Sequence, residues 1–166
     1  MPEVVSYLDV VREVSEQLPK GIFLNVAHEG KRNTMTIGWG GIIFFCGKPY
    51  YLVPVRPSRY TFPLLQASRA FTVSIPLHDM QAETRFAGTQ SGRDVDKFSG
   101  HGITAMPAQQ VEAPIVAECA LHLECRVHMT PVVTAADCDA QALSIAYPKG
   151  NLHTLFMGEI LIAYRL

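Results

Sequence analysis

The stretch ECALHLECRVHM, residues 118–129, alternates between apolar and polar side chains over most of its length. Successive side chains of an extended strand point to opposite faces, so this period of two predicts a β-strand with two different faces. One face would carry Cys119, Leu121, Leu123, Cys125 and Val127, and the other His122, Glu124, Arg126 and His128.

The same stretch contains the spacing C-x2-H-x2-C-x2-H, which is similar to the spacing of zinc ligands. In a strand, however, the cysteines and the histidines point to opposite faces. At ~3.3 Å per residue, His122 and His128 lie about 20 Å apart, which is too far for both to bind one metal ion. We therefore predict no metal site.

Other strand-like segments occupy much of the chain. They are GIFLNVAH (21–28), NTMTIGWGGIIFF (33–45), YYLVPV (50–55), FTVSIP (71–76) and HTLFMGEILIAYRL (153–166). The glycines in the second segment predict a bend or bulge, and the prolines that bracket the third favour an edge or short strand. Because no βα alternation repeats, the pattern favours a mainly β fold, with an antiparallel closed sheet of Greek-key type.

The helical signals are few and short. Apolar residues at three- and four-residue spacing predict an amphipathic helix at about residues 4–18, ended by Pro19 and Gly21. Its apolar positions are Val4, Tyr7, Leu8, Val11, Val14 and Leu18. We predict another short helix after Ser58, which is a suitable N-cap, and two short helical pieces within residues 79–99.

Length and composition exclude several classes of function. The 166 residues are about the size of one domain, and we predict a single domain over residues 1–166. A formal net charge of −1 gives no long-range field that would attract nucleic acid or an anionic membrane. No apolar run approaches the roughly 20 residues of a membrane span, and no signal-peptide pattern is present, so we expect a cytoplasmic protein. The low charged fraction, 17%, favours a surface that a second copy covers.

The segment RPSRYTFPLL (56–65) crowds hydrogen-bond donors between two apolar runs. Arg56 and Arg59 carry permanent charge and forked donors that suit phosphate. Ser58 and Thr61 add hydroxyl groups near the start of the predicted helix, whose free N–H groups also attract anions. These features favour phosphate binding, and the alternative is a capped surface helix with solvated arginines.

A second polar segment, SGRDVDKFSG (91–100), has the residue types of an anion-binding loop. Gly92 permits unusual backbone angles, and Ser91 can donate a hydrogen bond. Arg93 and Lys97 are cations. The alternative is a solvated loop in which aspartate and lysine pair with each other.

The segment NTMTIGW (33–39) ends in the only tryptophan of the chain. Trp39 lies beside three glycines, and an aromatic ring next to bare backbone can flank a flat ligand. A core tryptophan packed on a sheet is the alternative.

In this order, the segments resemble the flavin reductase-like FMN-binding split-barrel family, and most closely its flavoredoxin branch. The resemblance is carried by NTMTIGW (33–39), RPSRYTFPLL (56–65), FTVSIP (71–76), FAGTQSGRDVDKF (86–98), residues 113–125 and HTLFMGEI (153–160). Each segment alone is weakly specific, whereas the ordered set extends over most of the chain.

The resemblance implies an antiparallel Greek-key split β-barrel that forms a homodimer and binds FMN noncovalently near the subunit interface. It assigns the FMN phosphate to Ser58, Arg59 and Thr61. Asn33, Met35, Thr36 and Trp39 would line the flavin, and Ser91, Gly92 and Lys97 would close the site. His153 corresponds to a histidine near the reacting face in related reductases, which makes it the candidate catalytic residue.

The activity that the resemblance implies is that of an FMN-dependent oxidoreductase, either an NAD(P)H:flavin reductase or an electron-transfer flavoprotein acting on a small-molecule redox substrate. No separate nucleotide motif is visible, so NADH and NADPH both stay open as donors, and a non-enzymatic FMN carrier is the alternative. Flavoredoxin-like members often have a cysteine at the position of Ala87, which puts thiol chemistry there in doubt. The roles of Arg56 and Tyr60 stay open, with flavin stacking and plain packing both possible for Tyr60.

Overall fold

The computed structural model describes residues 2–166 as ten β-strands and four α-helices, with short 3₁₀ helices at Leu18–Lys20 and Ala135–Asp137. The strands are β1 (Glu3–Val5), β2 (Ile22–His28), β3 (Lys31–Ile37), β4 (Gly41–Phe45), β5 (Lys48–Val55), β6 (Ala70–Ile75), β7 (Ala105–Met106), β8 (Ile115–Val116), β9 (Leu121–Met129) and β10 (Thr154–Arg165). The helices are α1 (Tyr7–Gln17), α2 (Thr61–Ser68), α3 (Gln81–Thr89) and α4 (Ala140–Ala146). None of the helices in this described part of the chain has the length and apolar character needed to cross a membrane.

Eight strands form one sheet in which every pairing is antiparallel. The strand order is β3-β2-β6-β9-β10-β5-β4, with β1 added beside β10, while β7 and β8 pair separately. The prediction of a mainly β, antiparallel fold is therefore confirmed.

The sheet rolls up because its two outermost strands are consecutive in the chain. Only residues 38–40 join β3 to β4. Since consecutive Cα atoms are about 3.8 Å apart, the ends of these strands lie within ~15 Å of each other. Gly40 makes the bend possible, because its φ is +117° and a side chain there would overlap the carbonyl oxygen of Leu52. The single strand predicted over residues 33–45 is therefore wrong, although the bend predicted from its glycines is present.

The long strand β10 pairs with one strand along one edge and with two different strands along the other. β9 pairs along residues 157–165 of β10, whereas Thr154–Glu159 pair with β5 and Ala163–Arg165 pair with β1. The strands β5 and β1 thus share the other edge and separate between these two stretches. Helix α1, which follows β1, buries Val10 and Val14 in the core shared with the sheet.

The N-terminal helix is shorter than predicted. Its first turn begins after Ser6, whose hydroxyl accepts a hydrogen bond from Leu8 N at 3.2 Å and so caps α1. Val4 therefore belongs to β1 and is 66% exposed, and Leu8 is 67% exposed. At the other end, the chain tightens into a 3₁₀ turn that contains Pro19.

The proline-rich strand β5 is not an edge strand, because it lies between β10 and β4. Its pairing with β4 covers residues 48–52 and its pairing with β10 covers residues 50–55. Pro49 and Pro54 each fall where β5 has only one partner, so the missing N–H does not interrupt the two-sided part of the strand.

Two predictions for the polar segments are wrong. Ser58 does not cap a helix, because α2 begins at Thr61 and its N-cap residue is Tyr60. Ser58 lies in a turn closed by a hydrogen bond from Arg59 N to Arg56 O at 3.0 Å. Within residues 79–99 only α3 forms, and the residues from Gly92 onward continue as turns, which glycine and aspartate favour.

Strand β9 buries its predicted apolar face, but part of its polar face is buried as well. The buried apolar residues are Leu121, Leu123, Cys125 and Val127. His122 and Glu124, from the polar face, are also fully buried. The loop before β9 covers them, and Glu124 accepts hydrogen bonds from Gln109 N at 2.7 Å and Gln110 N at 2.6 Å. The imidazole of His122 lies 3.1 Å from Ser74 Oγ and 2.9 Å from Cys119 O.

Candidate functional site

Two adjoining cavities form one cleft along the free edge of β3. Their volumes are about 270 and 220 Å³, and both are lined by Met35, Thr36 and Arg59. The first also contains Trp39 and His153. The second also contains Asn33, Ser58, Thr61, Ser91, Gly92 and Lys97. All eleven residues predicted for the site thus lie along one cleft, although they come from four separate parts of the chain.

The floor of the cleft is the outer edge of β3. This strand ends the sheet and pairs only with β2. Alternate backbone N–H and C=O groups along its outer edge therefore lack a strand partner and are available to a ligand. Thr36 is fixed here by donating its hydroxyl hydrogen to the carbonyl oxygen of Thr84 on α3.

One end of the cleft is suited to an anion. Arg59 is exposed, and within residues 2–166 no carboxylate lies within 4.0 Å of its guanidinium. Thr61 begins α2, and its hydroxyl accepts a hydrogen bond from Asn33 Nδ2 at 2.8 Å. Tyr60, the N-cap residue, gives no side-chain hydrogen bond to the helix start. An unpaired cation beside an uncapped helix start favours a bound anion.

A buried lysine adds a second cationic group to the anion-binding end of the cleft. Lys97 is only 4% exposed, and its ammonium donates to Ala87 O at 2.6 Å. Burial, and to a smaller extent the positive charge of Arg59, together lower the pKa of Lys97 to about 8. The pairing of lysine with aspartate, which was the alternative for this segment, does not occur. The carboxylate of Asp96 instead accepts from Phe98 N at 3.0 Å and from Ser99 Oγ at 2.8 Å.

Gly92 allows the loop at the anion-binding end of the cleft to pack closely against β3. A side chain at Gly92 would overlap both Asn33 Oδ1 and the ring of Tyr60. The loop that carries Ser91 and Lys97 therefore packs directly against β3 and the start of α2.

The other end of the cleft contains a buried histidine beside an exposed tryptophan. The rings of His153 and Trp39 are 5.4 Å apart between centroids. Trp39 is 54% exposed, so the alternative of a core tryptophan is wrong, and His153 is only 6% exposed. Burial lowers the pKa of His153 to about 4, and the charges of Arg56 and Arg59 act in the same direction. The imidazole is therefore neutral at pH 7.

Arg56 is engaged in holding the chain that leads to His153. Its guanidinium donates to Ala146 O and Asn151 O, each at 2.9 Å, and lies 5.3 Å from the ring centroid of Tyr147. These contacts fasten the end of α4 and the following turn beside the cleft. Arg56 therefore has a structural use that the sequence left open.

Two residues of the site were missed from the sequence. The hydroxyl of Tyr147 lies 2.8 Å from His153 Nδ1, and Asn151 Nδ2 donates to Ser58 Oγ at 2.8 Å. Both lie in YPKGN (147–151), a turn-forming sequence directly before the strand that starts after His153. The sequence signal that could have indicated these two site residues is an aromatic and a polar residue in a tight turn close to the candidate histidine.

The chain is similar in sequence to known proteins. The sequence profile of the flavin reductase like domain matches residues 15–164. An uncharacterized protein of Archaeoglobus fulgidus is 30% identical over 154 residues, which are 92% of this chain and 76% of the relative.

Solved structures show the same fold. Flavoredoxin of Desulfovibrio vulgaris (Miyazaki F) is 26% identical and superposes with a TM-score of 0.71, over 88% of this chain and 69% of that chain. An FMN-binding domain of a flavin reductases-like enzyme from Shewanella baltica is 19% identical and superposes with a TM-score of 0.73, over 99% of this chain and 77% of that chain. The predicted antiparallel split barrel is confirmed.

Proposed function

The chain belongs to the flavin reductase-like family, and from this premise we propose that it is an FMN-dependent oxidoreductase. Membership of the family supports a flavin-binding redox function. The observation that carries the more specific proposal is the cleft itself, which has a cationic end at Arg59 and Lys97 and a neutral imidazole at the other end.

The residues of the cleft fit FMN by their chemistry. The phosphate would bind at Ser58, Arg59 and Thr61, with Ser91 and Lys97 closing over it. The outer edge of β3 at Met35 and Thr36 offers backbone groups to the polar edge of the flavin ring, and Trp39 offers an aromatic surface. When bound, FMN supplies the centre that accepts and returns hydride.

The chain's own contribution is orientation, charge and a proton site. Arg59 and Lys97 hold an anion at one end, where burial of Lys97 strengthens the attraction. His153 is the group that can hold or deliver a proton. Because Nδ1 faces the Tyr147 hydroxyl, Nε2 is the nitrogen left to exchange a proton in the cleft.

The first test is the absorption spectrum of the purified protein, followed by titration with FMN. A yellow protein, or one that quenches FMN fluorescence stoichiometrically, supports the proposal. Loss of the flavin absorbance on anaerobic mixing with NADH or NADPH then identifies the donor and separates an oxidoreductase from a carrier. A protein that binds FMN but keeps it oxidised with both donors would be a carrier, and a protein that binds no flavin would refute both functions.

The proposed assembly is a homodimer with FMN near its interface. Phe44 and Phe45 lie on β4, an edge strand, and are 66% and 46% exposed, close in sequence to the exposed Trp39. Monomeric proteins rarely leave large apolar side chains clustered in water. Sedimentation equilibrium of the wild type and of Phe44→Lys tests this, since a charge at the interface would shift the dimer to monomer and weaken FMN binding. A wild type that sediments as a monomer would refute the assembly.

A further inference from the structure

A turn outside the cleft holds one of the side chains assigned to the phosphate. Residues 147–151 lead from α4 toward β10, and a hydrogen bond from Gly150 N to Tyr147 O at 3.0 Å closes this turn. Directly after it, Asn151 Nδ2 donates to Ser58 Oγ at 2.8 Å. Asn151 lines neither of the two cavities that form the cleft, so it can act on a ligand there only through Ser58.

The direction of this hydrogen bond decides where the hydroxyl hydrogen of Ser58 can point. An amide nitrogen only donates, so Ser58 Oγ is the acceptor and keeps its own hydrogen for another partner. Over the described residues 2–166, that hydrogen has no protein acceptor, although Ser58 lines the anion-binding end of the cleft. The hydroxyl is therefore a donor left free for a ligand, on the residue that precedes Arg59.

The backbone around Ser58 is fixed as well. Arg59 N donates to Arg56 O at 3.0 Å and closes the turn that contains Ser58, and the guanidinium of Arg93 lies 3.4 Å from Ser58 O. The remaining freedom is rotation of the side chain, which an exposed serine would otherwise distribute over three staggered positions. The contact with Asn151 selects one of them.

The backbone conformation at Asn151 explains why an asparagine suits this position. Its φ is +59°, in the left-handed region that glycine, asparagine and aspartate tolerate better than other residues. Glycine has no side chain, and an ionised aspartate has no donor. Asparagine meets both requirements, the backbone conformation and an amide donor for Ser58. Arg56 supports the same residue through the main chain, because its guanidinium donates to Asn151 O at 2.9 Å.

We propose that Asn151 is a positioning residue for FMN, which directs the hydroxyl hydrogen of Ser58 toward the phosphate of the ligand. The inference rests on the proposed function, because Ser58 is useful in this way only if the phosphate lies beside Arg59. It follows that the contribution of Asn151 is confined to ligands that carry a phosphate group. It also follows that this contribution disappears when Ser58 has no hydroxyl.

Fluorescence titration of the full chain with FMN and with riboflavin tests the first consequence. Asn151→Gly keeps the left-handed backbone and the carbonyl oxygen that Arg56 binds, and it removes only the donor. We expect it to weaken FMN about 3- to 10-fold, the range for one neutral hydrogen bond, with riboflavin unchanged. Asn151→Asp should weaken FMN further, because a carboxylate accepts the Ser58 hydrogen and repels the phosphate. The matched control, Glu29→Gly, changes another exposed residue with a positive φ, +48°, and should alter neither affinity.

A double-mutant cycle with Ser58→Ala tests the second consequence, and it needs FMN alone. If Asn151 acts through Ser58, Asn151→Gly causes no further loss of FMN affinity in the Ser58→Ala background. Additive losses would overturn the inference, because they would show that Asn151 acts by another route. Equal losses for FMN and riboflavin, or an unchanged FMN affinity in Asn151→Gly, would also overturn it. These outcomes leave the proposed function intact, whereas a wild type that binds neither flavin refutes that function together with the inference.

Discussion

The hydroxyl of Tyr147 and Nδ1 of His153 lie 2.8 Å apart, which joins the end of α4 to the start of β10 inside the cleft. Helix α4 has no buried residues of its own, so its position depends on contacts such as this one and those of Arg56. The contact fixes which ring nitrogen of His153 faces a ligand. It also makes the proton-transfer role of His153 testable through a residue that does not line the cleft.

We first predict that His153→Gln lowers kcat with the nicotinamide donor by about 100-fold, the usual effect of losing a general acid or base. Tyr147→Phe should lower kcat by about 3- to 10-fold, because one neutral hydrogen bond is worth about 0.5–1.5 kcal/mol. Neither change should alter FMN affinity more than about 2-fold, a difference of roughly 0.4 kcal/mol. Stopped-flow reduction of the bound flavin measures the rate, and Tyr7→Phe on α1 is the matched control. Full activity in both variants would remove His153 from the chemistry.

We next predict that Arg59→Ala weakens FMN binding by about 1.5–3 kcal/mol, the value of a hydrogen bond to a charged group. The reason is that Arg59 has no carboxylate partner in residues 2–166 and lines both cavities. Fluorescence titration with FMN and with riboflavin measures the effect, and only FMN should be affected, because riboflavin lacks the phosphate. Arg12→Ala, an exposed arginine of α1 paired with Glu16, is the control. An unchanged FMN affinity would mean that the phosphate lies elsewhere.

The sequence predicts that strands are present better than it predicts which of their faces are buried. The alternation in β9 and the apolar run of β6 each indicate a strand, independently of the strands that pair with them. Whether a polar face is buried depends on distant parts of the chain, and His122 and Glu124 are buried because the loop carrying Gln109 and Gln110 folds over them. No local pattern in ECALHLECRVHM contains that information.

The residues of the cleft were found through a family resemblance rather than through local patterns. RPSRYTFPLL alone predicts a capped helix, and Ser58 does not cap it. The nearness of Ser58 to Asn151, and of Tyr147 to His153, depends on the path of the chain as it enters β10. The low pKa of Lys97 likewise depends on burial that only the folded chain provides.

The third prediction is that FMN affinity falls as the pH rises through about 8. The pKa of Lys97 in the ligand-free protein is about 8, because burial and Arg59 disfavour the ammonium form. A bound phosphate favours that form, so deprotonation of Lys97 above pH 8 weakens binding, while the phosphate itself stays dianionic above its second pKa of about 6. Titrations at pH 7, 8 and 9 should show this decrease in the wild type and in Lys149→Met, but not in Lys97→Met. The same slope in all three proteins would show that Lys97 does not contact the phosphate.

The fourth prediction is a loss of stability in mild acid that originates at His122. Burial lowers the pKa of His122 to about 4, from an ordinary value of 6.5, although its contact with Cys119 O acts in the opposite direction. Between these values the unfolded chain binds a proton that the folded chain does not, so the free energy of unfolding falls as the pH drops from 6.5 to 4. A fully buried histidine contributes a loss on the order of 3 kcal/mol over this range.

The pKa of His153 is lowered in the same direction, so the wild type should show both contributions. Urea denaturation at pH 7, 6, 5 and 4 measures them. His122→Gln should be less stable than the wild type at pH 7, because the ring no longer joins Ser74 to Cys119, but its stability should change less with pH. His78→Gln, at an exposed position, should follow the wild type at every pH. If His122→Gln instead keeps the full acid dependence, the buried histidine is not its source, and the remaining titrating groups must supply it.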